Sequence, residues 1–202
     1  MAHYAIDFRS SLGRVNALDL SKITLRPPQQ GDWPRIHEWV SLEESCRYQP
    51  WGPNTEPETE AFVATAIASA GVEPRTRYAF VATHPYTGVL GIGELNVRHA
   101  AWKRGEISYA VHTDHWGQGV ASEIARILLQ LGFEKLGLER IEATCDPRNS
   151  ASAAVLKRIG MTCEGTLRRT VLIRTGWRDS KMHSLIRPEW TPPGGPPRWT
   201  LA

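Results

Sequence analysis

His115-Trp116-Gly117-Gln118-Gly119-Val120-Ala121, running directly into Ser122-Glu123-Ile124-Ala125-Arg126-Ile127-Leu128-Leu129, is the stretch whose reading decides the fold. A strand over Gly105 to Val111 feeds a glycine-rich turn, and the turn opens an amphipathic helix. The apolar residues of that helix, Ile124, Ile127, Leu128 and Leu131, fall at i, i+3, i+4 and i+7. Two glycines leave backbone amides bare where the first helical N–H groups lack partners. Unpaired donors and the positive end of the helix dipole then converge on one small volume, which suits a pyrophosphate.

Three cradles for such a ligand compete. A triphosphate loop needs GxxxxGK[ST], and no Lys-Ser or Lys-Thr follows a glycine at that spacing. A dinucleotide fingerprint needs GxGxxG, but Ser122 stands where the third glycine would be. What fits is [Arg/Gln]-x-x-Gly-x-[Gly/Ala], with Trp116 in the Arg/Gln place, then Gly119 and Ala121. This resembles the coenzyme A loop of the GNAT N-acetyltransferase superfamily. Read alone, a Gly-x-Gly turn before a helix also serves as a plain tight connection.

Further motifs extend the resemblance in the right order. Gly105-Glu106-Ile107-Ser108-Tyr109-Ala110-Val111 is similar to an "EIGY" strand, with Ser108 in place of glycine. Asn149-Ser150-Ala151-Ser152, the run Ala153 to Met161 and Glu164-Gly165-Thr166-Leu167-Arg168 resemble the "N-x-x-S…leKlGF…EG…R" signature. That signature belongs to the RimJ/RimL branch of ribosomal-protein N-terminal acetyltransferases. Gly176-Trp177-Arg178-Asp179 and Glu189-Trp190 match it too, so the resemblance covers roughly Ile23 to Trp190.

The bulk properties suit one domain. A chain of 202 residues with 41% apolar content is long enough for one well-buried core and short for two. No apolar run reaches the roughly 20 residues needed to span a bilayer, and the first residues lack a signal-peptide pattern. Three cysteines, Cys46, Cys145 and Cys163, read as free and mostly buried thiols of a cytoplasmic protein. The net charge of +3 is uneven: from Gly165 onward seven cations face two anions, a net +5 that leaves −2 for the rest. Such a basic C-terminal stretch favours a phosphate-bearing cofactor or an acidic substrate surface, or is simply a solvated strand face. Nucleic-acid binding would need a stronger bias.

Segment by segment, the pattern predicts an α+β domain with a mixed, mostly antiparallel sheet of six to seven strands flanked by helices. Ile23 to Arg26 is the first strand. Asp32 caps a helix carrying Trp33, Ile36, Trp39 and Val40, and Thr55 opens a second helix that ends near Gly71. A loop over Cys46 to Asn54 lies between them. Strands over Tyr78 to Thr83, Val89 to Val97 and Gly105 to Val111 form a meander. After the long helix come a strand over Arg140 to Cys145, a short helix capped at Asn149 or Ser150, and two strands near Thr166 to Arg174 and Trp177 to Ile186 that form a hairpin around Gly176. Residues 1–20 read as a loosely tied leader, 21–190 as the acetyltransferase domain, and the Pro/Gly-rich 191–202 as a disordered tail.

The resemblance implies acetyl-CoA as cofactor and a primary amine as acceptor, with direct attack in a ternary complex. Cofactor contacts are then expected from Tyr109, Ala110 and Val111, from Trp116, Gly117, Gln118, Gly119, Val120 and Ala121, and from Asn149, Ser152 and Arg158. In the family, the strand equivalent to Ser108–Val111 splays from its neighbour and frees backbone groups for the pantetheine arm. Ser152 falls where that branch places a hydroxyl beside the coenzyme sulfur, and Glu106 lies at a common carboxylate site for a base. The plain alternatives are capping by Asn149, an exposed Ser152 and an ion-paired Glu106. Some members of the branch carry a further Glu where Val171 stands here; His112 and Asp114 are the fallback bases. Tyr48 and Trp51 would line the acceptor side. The acceptor is a protein N-terminus or a small amine such as a polyamine, antibiotic or metabolite; a non-catalytic acetyl-CoA-binding protein is the third reading. No metal site is expected, since the histidines show no HxxxH or HxH pairing. Neither nucleic acid nor membrane is an expected partner. The hairpin ending in Trp177 offers an edge for a homodimer.

Overall fold

The computed structural model describes residues 18–202. Most of the expected leader therefore lies outside the described residues. Seven strands, β1 (Thr24–Arg26), β2 (Arg77–His84), β3 (Gly88–His99), β4 (Arg104–Val111), β5 (Arg140–Cys145), β6 (Thr162–Ile173) and β7 (Gly176–Ile186), form one sheet. Its order is β1-β2-β3-β4-β5-β7-β6. Neighbours run antiparallel except β4 and β5, the one parallel pair. The helices are α1 (Trp33–Val40), α2 (Glu43–Cys46), α3 (Glu56–Ala68), α4 (Val120–Gln130) and α5 (Ser150–Arg158). The expected α+β architecture is what forms.

A parallel pair needs a crossover, and α4 supplies it between β4 and β5. Its predicted stripe of Ile124, Ile127, Leu128 and Leu131 is fully buried, joined by Ile107, Ile141, Leu156 and Leu185 from the sheet and α5. A Cβ on Gly93 of β3 would lie 2.7 Å from the Ile124 Cγ2, so only glycine lets α4 sit this close. The opposite face carries α1 and α3 over a second apolar cluster of Ile36, Trp39, Val63 and Val81.

Several local expectations change. The Asp32 carboxylate does not cap α1; it accepts from the Gln29 amide at 2.7 Å and from both Arg26 guanidinium nitrogens at 2.8 and 2.6 Å. A charged, bidentate partner outcompetes a bare amide. At the start of α3 the Thr55 amide and hydroxyl both donate to Glu58. The helical turn α2 had no sequence signal of its own. β6 begins four residues before the expected Thr166. Cys46 and Cys145 are buried and Cys163 is exposed, all three unpaired.

The C-terminal segment also departs from the expected disorder. The Leu25 amide donates to the Arg198 carbonyl at 2.8 Å, and the Thr200 amide donates to the Leu25 carbonyl at 2.9 Å. This parallel bridge at Trp199 fills the free edge of β1, whose main-chain groups would otherwise face water. Trp199 packs on the main core, and the Arg198 guanidinium reaches the carboxylate of Glu123 in α4. The prolines and glycines form only the connection. No helix among the described residues is long and apolar enough to cross a membrane.

Candidate active site

β4 and β5 are zipped together only from Arg104↔Arg140 to Glu106↔Glu142. Beyond that vertex β5 continues along β7 while β4 continues along β3, so a wedge opens between them. The expected splay is therefore present. A cleft of about 530 Å³ runs from this wedge across the start of α4. A smaller cavity of about 70 Å³ continues it on the β7 side of the wedge.

At the cleft's far end lies the glycine turn. Gly117 and Gly119 have φ of +74° and +88°, a backbone that side chains disfavour. The amides of Gly117 to Ser122 donate to no acceptor among the described residues, and α4 has no side-chain cap. Six bare donors at a helix N-terminus fit a diphosphate. The Ser122 hydroxyl is buried on the cleft with no partner, a second orphan in the same place. Ser122 was not singled out from sequence; a small hydroxylic residue in the first turn after Ala121 is the signal that was there.

Of the cofactor residues expected, Tyr109, Ala110, Val111, Gly117, Gly119, Val120, Ala121, Asn149, Ser152 and Arg158 line the cleft together with Tyr48. Trp116 lines it too, but its amide donates to the Thr113 carbonyl and its indole donates to the Val111 carbonyl at 2.8 Å. The bare amides therefore start at Gly117. Gln118 turns its side chain away onto the Asp114 carbonyl at 2.8 Å. Trp51 lines neither cavity; it packs on the α1–α3 cluster, as a large apolar ring beside Trp39 would.

Asn149 does cap α5, its Oδ1 accepting from the Ser152 amide at 3.0 Å, while also lining both cavities. That cap sets the Ser152 hydroxyl at the wedge, 3.4 Å from the Tyr109 hydroxyl. Burial pushes the Tyr109 phenol up to about 12, so it stays protonated. Both hydroxyls can donate.

The base candidates fare differently. The carboxylate of Glu106 is held by Arg98, the Nε at 2.6 Å, and lines neither cavity. It sits at the vertex, where β4 is still paired, rather than in the opening. His112 is buried behind the cleft and accepts from the Asp114 amide at 3.2 Å; Asp114 is exposed. His115, the first residue of the glycine-rich stretch, does line the cleft, with an unpartnered Nε2. Burial, and then the neighbouring His112, hold its pKa below the usual value. Among the described residues no group of three or more His, Cys, Asp and Glu is placed to hold a metal ion.

Gln49, Asp146 and Arg178 reach the small cavity from three distant segments, which no local pattern announced. Such an arrangement can grip a diphosphate at one end, pass a slender arm between two strands, and present hydroxyl donors where the arm ends.

A family description, acetyltransferase (GNAT) domain, matches residues 22–162. The chain is 26% identical over 175 residues to the uncharacterized N-acetyltransferase YnaD of Bacillus subtilis, covering 84% of this chain and 96% of that one. It is 31% identical over 88 residues to the putative ribosomal N-acetyltransferase YdaF of the same organism, covering 44% of this chain and 48% of that one. A GNAT-family acetyltransferase structure from Bacillus anthracis superposes with a TM-score of 0.72 at 26% identity, covering 82% of this chain and 95% of that one. Spermidine N-acetyltransferase from Vibrio cholerae, solved with CoA and spermine, gives a TM-score of 0.72 at 21% identity, with 84% and 98% covered.

Proposed function

The chain belongs to the GNAT acetyltransferase family, and from that premise we propose that it acetylates the N-terminal α-amine of a protein or peptide, as the RimJ/RimL branch does. The single observation that carries acetyl-CoA to this site is the run of bare amides from Gly117 to Ser122, opening onto the β4–β5 wedge with Ser152 at its mouth. When bound there, acetyl-CoA supplies the acetyl group: its C–S bond is exchanged for an N–C bond, the amine giving up one proton and the departing thiolate taking one.

The chain's own residues divide the work. The amides of Gly117 to Ser122 and the Ser122 hydroxyl hold phosphate oxygens at the positive end of α4. Main-chain groups of Tyr109, Ala110 and Val111, released from β5, orient the arm and its carbonyl; one such donor contributes about 3 kcal/mol when aimed at developing charge. Ser152, backed by Tyr109, gives the departing sulfur its hydrogen bond or proton. Glu106 takes no direct part, since Arg98 holds it at the vertex. An α-amine with a pKa near 8 has a useful neutral fraction at about pH 7 without a dedicated carboxylate. Support for a protein acceptor comes from the RimJ/RimL-like motifs and from YdaF. Against it stands Val171 in place of the branch's further Glu.

A small-molecule amine is the second reading, favoured by the likeness to the V. cholerae spermidine enzyme. Acetyl-CoA-dependent thiol release over N-terminal peptides, polyamines and aminoglycosides separates the two. Release with peptides alone is the expected outcome; release with polyamines alone reverses the ranking. Absence of release with every amine, alongside CoA binding by calorimetry, would leave a non-catalytic binding protein.

A further inference from the structure

The small cavity on the β7 side of the wedge has one feature that plain acetyl transfer does not use. Its lining includes two fully charged side chains, Asp146 and Arg178. Asp146 is already satisfied: its buried carboxylate accepts from the Arg148 amide at 2.8 Å and from the Arg148 guanidinium at 3.0 and 2.7 Å. That guanidinium holds its pKa below the usual range, so it stays ionised and neutralised in place. Arg178 has no such partner. Its Nη1 donates to the Asp179 carbonyl at 3.1 Å and to the Ser180 hydroxyl at 3.0 Å, and its Nε is sealed from water with no acceptor. No carboxylate among the described residues lies within ion-pair distance of it.

The Arg178 guanidinium lines the cavity with no carboxylate to pair its charge, so an anion entering there gains a charge-assisted hydrogen bond from whichever of its N–H groups face the opening. The fork geometry of arginine suits a carboxylate, which it can grip by two parallel bonds. A cation-only ligand such as a polyamine would meet the Arg178 charge here with only the Arg148-bound Asp146 to offset it. Glu44 and Arg47, which line the larger cleft, carry opposite charges. The cavity's size also limits the occupant. At about 70 Å³ it suits a small group such as a carboxylate rather than a bulky one.

We propose that Arg178 is a specificity residue for acceptors carrying a carboxylate a few bonds from the reactive amine, received in the cavity between Tyr48, Asp146 and Arg178. This rests on the reading of the wedge as an acetyl-transfer site. The same chemistry comes from two sources: a peptide whose first residue is acidic, or a free amino acid whose amine and carboxylate are separated by a short chain. Tyr48 and Gln49, which border both cavities, then stand where the amine passes from one to the other.

The test is a thiol-release assay on isosteric pairs: a peptide beginning with Glu against the same peptide beginning with Gln, and 4-aminobutyrate against its amide, with spermidine alongside. The acidic member of at least one pair is expected to be favoured about 10- to 100-fold in kcat/KM, carried mainly by KM. The pair showing the preference identifies the source. Arg178→Gln should bring that ratio close to one, and Arg178→Lys should restore part of it, while calorimetric CoA affinity stays at the wild-type value and certifies the fold. Equal turnover of acidic and neutral members, a preference for spermidine, or a ratio that survives Arg178→Gln overturns the proposal and leaves acetyl transfer standing. No turnover of any amine sinks the catalytic reading itself, and this one with it.

Discussion

Ser152 is the residue whose role is easiest to isolate, because its main chain and side chain do separate things. Its amide completes the Asn149 cap and its hydroxyl faces the wedge. Ser152→Ala keeps the first and removes the second, so kcat is expected to fall on the order of 10²-fold at an unchanged CoA dissociation constant. Tyr109→Phe should add little to that loss if the two hydroxyls act as one unit. Loss of CoA binding in Ser152→Ala would instead make it a structural residue. His115 gives the pH prediction. Its folded pKa is depressed below the unfolded value of about 6.5, so the unfolded chain binds the extra proton. Stability is therefore fully present above about pH 6.5 and falls as pH drops through and below it. His183, depressed by burial, acts in the same direction. Thermal midpoints measured from pH 8 to pH 5 should decline below about 6.5, and less steeply in His115→Gln.

At the scale of elements, the turn before α4 was readable because glycine leaves a local mark: bare amides and positive φ need no distant partner. Gly119→Ala places a Cβ 2.9 Å from the Leu20 Cδ1 on a backbone with φ +88°. A cost of about 1–2 kcal/mol is expected, measurable as a thermal shift of about 2–4 °C per kcal/mol in a chain of this size. CoA affinity should fall with it. The α4 stripe and the meander were equally legible, since both follow from short-range periodicity. What the chain concealed was which partner wins. Arg98 reached Glu106 across neighbouring strands, Arg26 drew Asp32 away from α1, and Trp51 found the α1–α3 cluster instead of the cleft. Each is a competition between partners whose outcome the folded geometry decides and residue spacing does not encode. The small cavity was hidden for the same reason.

For the whole molecule, the C-terminal segment matters more than its composition suggested. It closes the β1 edge through Arg198 and Thr200, and it joins that edge to α4 through the Arg198–Glu123 pair. Removing residues 191–202 should expose β1, leave buried Glu123 with Arg126 alone of its two arginines, and lower the thermal midpoint by several degrees. Arg198→Ala alone should reproduce part of that loss, and an unchanged midpoint in both would reduce the bridge to an incidental contact. The pairing also binds two distant events together. Glu123 stands in the first turn of the helix whose amides are proposed to meet the diphosphate, so whatever steadies that turn steadies the strap, and the reverse holds by reciprocity. Coenzyme A should therefore slow a carboxypeptidase trimming back through this segment, with digestion stalling near Arg198, although the protease never touches the cleft.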